Sequence, residues 1–213
     1  MKFSRCHGLI ILSLFFLSGV SALIYEVLWL KELGLLFGNT SYAMATTLAA
    51  FFMGLAVGGY QWGRRVSANK NPLKLYGLLE LSVAGCAAGY FLILKSYALV
   101  YPVIFDWFGN ERVLFVTVKF MLAILILFPP AYFLGGTLPV ISHYVVRHSS
   151  QLGQKVSVLY VVNTLGAVSG VFLAGFYLPV VVGYRQSYLM AMSVTVVVAL
   201  TAVWLSGRRI DDW

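Results

Sequence analysis

The sequence predicts an all-α integral membrane protein: a single polytopic domain over residues 1–213, folded as a six-helix transmembrane bundle with both termini on the cytoplasmic side. Three observations carry that expectation. Hydrophobic side chains make up 61% of the chain and charged ones only 10%, against about 25% charged in an ordinary soluble domain. That leaves too little charge to clothe a water-facing surface, which excludes a soluble globule, and the apolar excess excludes intrinsic disorder. Second, six apolar stretches match the roughly 20 residues needed to cross about 30 Å of hydrocarbon at about 1.5 Å per residue. Third, the basic residues outside those stretches alternate in density, ten on one side against four on the other, as the positive-inside rule requires of an even number of spans. The formal charge of +8 then reflects loops facing anionic lipid and gives no reason to expect a nucleic-acid partner. Two cysteines, Cys6 and Cys86, make no disulfide framework.

The first stretch, about 8–30, follows Lys2 and Arg5. Its run from Leu9 to Leu17 and the Val20-Ser21-Ala22 tripeptide also resemble a secretory signal, but apolar sequence continues through Leu30 and makes it long enough to span. The second, about 41–62, ends before Arg64-Arg65, and the third, about 73–94, begins between Lys70 and Lys74. Between the third and fourth, Tyr97, Tyr101 and Phe105 recur every four positions beside Trp107 and Phe108, a pattern expected of a separate short helix in the outer headgroup region. The fourth stretch, about 113–134, runs into Pro129-Pro130, Gly135-Gly136 and Pro139, which predicts one bent helix ending at an inner re-entrant or surface turn. The fifth and sixth are about 156–178 and 186–206.

Gly54/Gly58, Gly59/Gly63, Gly85/Gly89 and Gly166/Gly170 are each four apart, placing a small residue on one helix face where a neighbouring backbone can approach. A shift of 124 positions aligns Asn39–Tyr60 with Asn163–Tyr184, with eight identities in twenty-two pairs. Because the two stretches would face opposite ways in this topology, the match is consistent with a weak 3+3 inverted repeat.

Three ionisable residues fall within spans: Glu26, Glu80 and Lys119. A lone charge in hydrocarbon costs at least about 2.5–3.5 kcal/mol, so each is expected to face the interior and find a partner. From the helical rise, Glu26 and Lys119 lie roughly 10 Å and 7 Å toward the outer face, at pairing depth, and Glu80 lies near the level of Asn163, whose amide can donate to a carboxylate. The same residues serve either as a binding site for a cation, proton or polar head group, or as internal structural pairs. His7, His143 and His148 sit near the inner surface without two at ligand spacing in one helix, so no metal is expected. The sequence carries no phosphate loop, nucleophile elbow or zinc-protease motif, and no cofactor is expected.

Two groups of strings bear a resemblance to a known family. Ala22-Leu23-Ile24-Tyr25-Glu26-Val27-Leu28-Trp29-Leu30, with Phe37-Gly38-Asn39-Thr40 and Phe52-Met53-Gly54-Leu55-Ala56-Val57-Gly58, form the first. Gly135-Gly136-Thr137-Leu138-Pro139, Leu159-Tyr160, Asn163-Thr164-Leu165-Gly166-Ala167 and Leu178-Pro179 form the second. Both resemble the amino-terminal membrane region of bacterial membrane-bound spermidine synthase-like proteins, which implies a multi-pass protein of the bacterial inner membrane. In that family the membrane region is commonly followed by a soluble aminopropyltransferase-like domain. Here only Gly207 to Trp213 follow the sixth stretch, so synthase activity is not expected of this chain.

The expected function is therefore a non-catalytic membrane subunit that docks a cytoplasmic enzyme, such as a separate synthase-like chain, or another protein partner or a second copy of itself. A small transporter for polyamine-like cations is the first alternative, motivated by the intramembrane carboxylates, and an accessory subunit of a larger membrane complex is the second. The candidate binding residues are Tyr25, Glu26, Glu80, Lys119, Tyr160 and Asn163.

Overall fold

A computed structural model describes residues 2–37, 41–108, 112–147 and 152–207; near several of these limits, and for Lys119, only the backbone is described. Every described element is helical: α1 (Lys2–Phe37), α2 (Ser41–Val66), α3 (Pro72–Phe108), α4 (Arg112–Arg147), α5 (Leu152–Phe172), a π-helical turn (Leu173–Tyr177), the short α6 (Leu178–Val181) and α7 (Tyr184–Ser206). Among the described residues, four helical stretches are long and apolar enough to cross a bilayer: His7–Gly34, Phe120–Val146, Gly153–Val181 and Tyr184–Ser206.

Two expectations about element boundaries are corrected. The segment holding Tyr97, Tyr101 and Phe105 is no separate interfacial helix but the continuation of α3, which runs unbroken for 37 residues. No glycine or proline separates Tyr90 from Tyr101, so nothing ends the helix there. The fourth apolar stretch likewise does not end near residue 134; α4 passes through Pro129, Pro130 and Pro139 and continues to Arg147. Neighbouring helices let a membrane helix absorb such prolines, and this part of α4 lies against α2 along its length.

The helices pair mainly with partners distant in sequence: α2 on α4, α1 on α5 and α7, and α3 between α4 and α7. Glycine sets the two closest crossings. Gly58 faces the Tyr132 backbone and Gly54 that of Phe128, while Gly170 faces the Val20 backbone and Gly166 that of Phe16. In both pairs the numbers rise together, so α2 runs parallel to α4 and α5 parallel to α1. By contrast, Tyr25 meets Thr195 and Trp29 meets Tyr188, so α7 is antiparallel to α1.

These crossings repeat at one offset. Gly54/Gly166, Gly58/Gly170 and their partners Phe16/Phe128 and Val20/Tyr132 are all 112 apart. Helix starts follow suit, with α3 beginning at Pro72 and α7 at Tyr184. The α3–α7 crossing nearly keeps this register: Gly77 lies on the Ala199 carbonyl, and Tyr188, one residue before the position equivalent to Gly77, donates its hydroxyl at 3.0 Å to the carbonyl of Ala87, the position equivalent to Ala199. Part of the residue 39–60 match at an offset of 124 lies outside the described residues, and the packing follows 112 instead.

Two apolar cores result. One gathers Val20–Leu33 of α1, Val83–Tyr90 of α3, Ala123–Leu134 of α4 and Tyr188–Ala191 of α7; the other gathers Ile11–Phe15, Leu73–Leu79, Val140–Val145 and Val198–Leu205 of the same four helices. The second lies toward the end where α3 starts and α7 finishes, joined there by Asn71 Nδ2 donating to the Ser206 carbonyl. Exposed Arg64, Arg65, Lys70 and Lys74 gather at that end.

Candidate functional site

Between the two cores each of the four helices places a buried polar side chain. Ser18 on α1, Glu80 on α3, Thr137 on α4 and Thr195 on α7 all fall in the gap, with Ser21 at its edge. Ser21 and Thr137 hydroxyls donate to carbonyls within their own helices, which satisfies them at little cost. Glu80 differs. It is 0% exposed, and one carboxyl oxygen, Oε1, accepts from Ser18 Oγ. The other, Oε2, has no hydrogen-bond partner, nor has the hydroxyl of fully buried Tyr76. Tyr76 stands one helical turn before Glu80 and lies beside both it and Ser18 without a bond of good geometry to either. A buried carboxyl with a single donor is a place where a proton or a cation completes the set.

On the side away from the basic end, aromatic side chains close over this layer. Tyr25 stacks on Trp29 at 5.3 Å between centroids, Tyr188 meets Tyr25 edge-on at 5.3 Å, and Tyr90 stacks on Tyr188 at 5.7 Å. Trp29 Nε1 donates to the Tyr188 hydroxyl at 3.2 Å, and the Tyr25 hydroxyl bonds Thr195 Oγ1 at 3.2 Å. Farther along, the Tyr184 hydroxyl donates to the Leu28 carbonyl at 2.9 Å and sits beside Glu32. Toward the basic end the layer is covered by the second apolar core, where Tyr76 meets Phe15 edge-on at 6.3 Å.

The structure brings Tyr25 and Glu80 together in this region and scatters the other sequence candidates. Asn163 packs against Gly19, at the level of Ser18, but makes no bond to Glu80. Glu26 points to the α2 and α4 side, where it lines a narrow crevice with Trp29, Thr47, Phe51 and Leu127. The Lys119 side chain lies outside the described residues, so its pairing with Glu26 does too. Tyr160 is 60% exposed on the outer face of α5. Among the described residues no three His, Cys, Asp or Glu side chains could jointly hold a metal.

Sequence reasoning missed Ser18, Tyr76, Thr195 and Tyr188. A signal for the α1 residues was present, since Ser18, Ser21 and Tyr25 recur at spacings of three and four, and so line one face. It also missed Lys31, whose Nζ donates at 3.4 Å to the carbonyl of Ala174 in the π-helical turn.

No protein-family model, curated protein or solved structure matches this chain. Functional roles therefore rest on the geometry.

Proposed function

We propose that the chain is a six-span inverted-repeat protein of the bacterial cytoplasmic membrane that carries small cations of the polyamine type, with Glu80 as the carboxylate that meets them. The observation that carries this reading is the Glu80 carboxyl itself, fully buried between two apolar cores with Oε2 unpartnered. Intramembrane acids of this kind mark ion or proton pathways. The repeated crossings at an offset of 112 support it, because carriers of many folds place their binding site at the interface of two inverted repeats. Proteoliposomes containing the protein should take up labelled polyamines or related cations, and Glu80→Gln should abolish uptake while leaving the fold intact. No uptake in the presence or absence of a proton gradient would remove the reading.

The exposed basic end favours a second reading, a membrane subunit that docks an acidic cytoplasmic partner such as the synthase-like enzyme the resemblance implies. Arg64 and Arg65 are held there by bonds to Tyr60 and Tyr132. Co-purification from gently solubilised membranes that yields this protein alone would count against docking.

A further inference from the structure

We infer that Tyr76 and Tyr188 are the paired closing residues of the Glu80 layer, each sealing it toward one face of the membrane. The inference rests on the carrier reading and adds to it the groups that control access.

Four observations lead there. Tyr76 and Tyr188 are 112 apart, the offset that relates the two glycine crossings, and each stands four residues after the start of its helix. They are thus equivalent positions of the two halves. Both are 0% exposed, yet they belong to different apolar cores, Tyr188 to one and Tyr76 to the other, with the polar layer between. Each seals by ring contact, Tyr76 edge-on to Phe15, and Tyr188 against Tyr25 and Tyr90. Finally, the position equivalent to Glu80 by the same offset is Met192, so two equivalent seals flank a single acid.

In an inverted repeat the two halves exchange conformations, so equivalent residues open in turn. Tyr188 moves with α7 and is held by Trp29 Nε1 and the Ala87 carbonyl. Tyr76 moves with α3, and its hydroxyl has no bond to break. The groups facing Glu80 are Ser18 and Tyr25 from α1 and Tyr76 from its own helix, with Thr195 of α7 reached through Tyr25. Opening either seal exposes this set to only one aqueous phase.

A cysteine reporter in the layer tests the assignment without measuring transport. Ser21 is 2% exposed and its hydroxyl bonds only the Ser18 carbonyl, so Ser21→Cys in a Cys6→Ser/Cys86→Ser background changes little else. A membrane-impermeant thiol reagent is applied to sealed vesicles of either orientation. The parent should label slowly from both faces. Tyr76→Ala should raise labelling about ten-fold from the face that carries Arg64 and Arg65 only, and Tyr188→Ala by a similar factor from the opposite face only. Tyr→Phe at either position keeps the ring and should stay closed. Tyr→Leu, which refills apolar volume without an aromatic ring, replaces the alanine variant wherever the latter does not fold.

Labelling of both variants from the same face overturns the proposal, as does no rise in either, or Phe variants that label like the Ala ones. Side-specific labelling with no cation uptake leaves the seals standing and removes the carrier. Glu80-dependent uptake without side-specific labelling does the reverse.

Discussion

Replacing Gly58 by alanine should destabilise the bundle, whereas the same change at Gly85 should not. A Cβ at Gly58 would fall onto the Tyr132 carbonyl group and within 2.9 Å of its Cα. All of these are helix backbone, so no side chain can turn aside and α2 and α4 must part. Overpacking of this kind costs about 1–3 kcal/mol, while the helix itself gains about 1 kcal/mol when glycine becomes alanine. The net loss at Gly58 is thus up to about 2 kcal/mol. At Gly85 a Cβ meets nothing within 4 Å, so only the gain of up to about 1 kcal/mol remains. Gly170, with the Val20 carbonyl in the equivalent place, should behave like Gly58. Thermal unfolding of the three variants in one detergent reads the difference directly. Equal midpoints for Gly58→Ala and Gly85→Ala would refute the close crossing, and a neutral Gly170→Ala would break the equivalence of the two halves.

Ser18→Ala removes the donor to Glu80 Oε1 and should lower stability by about 1–3 kcal/mol, the cost of leaving a buried acceptor without its partner; in a Glu80→Leu background the same change should cost far less, which a double-mutant cycle measures. Lys31→Met deprives the Ala174 carbonyl of its side-chain donor, and amide exchange should quicken across Leu173–Tyr177 while the rest of the bundle is unchanged. Single cysteines at Asn69 and Gly109 should label from opposite sides of the membrane, Asn69 from the cytoplasm; labelling of both from one side would sink the six-span topology.

The helical character and the positions of the first, fifth and sixth apolar stretches were legible because a long apolar run shows directly in the sequence. What failed was whatever depends on azimuth. Helical rise put Asn163 at the right depth for Glu80, and it does pack at that level, but rise says nothing about direction, and Ser18 is the residue that faces the carboxyl. Ser18 showed only its helical spacing from Ser21 and Tyr25, and Thr195 gave no signal because small hydroxyl residues in helices so often bond their own backbone, as Thr195 also does with Ala191. The repeat was sought by identity, which shared apolar composition inflates, and that favoured an offset of 124. The register of packing is held by a few glycines, Gly54 and Gly58 against Gly166 and Gly170, too few to outweigh chance matches elsewhere.

The pairing of helices also bears on how the chain is made. The major helix contacts, α2 with α4, α1 with α5 and α7, and α3 with α4 and α7, all join the first three helices to the later ones. A ribosome that has delivered α1 to α3 has released three helices whose main partners do not yet exist, so the first half stays loosely associated until the second arrives. The two halves then close as interlocking pieces, so a chain cut between α3 and α4 should still assemble when both fragments are produced together, and neither should persist alone.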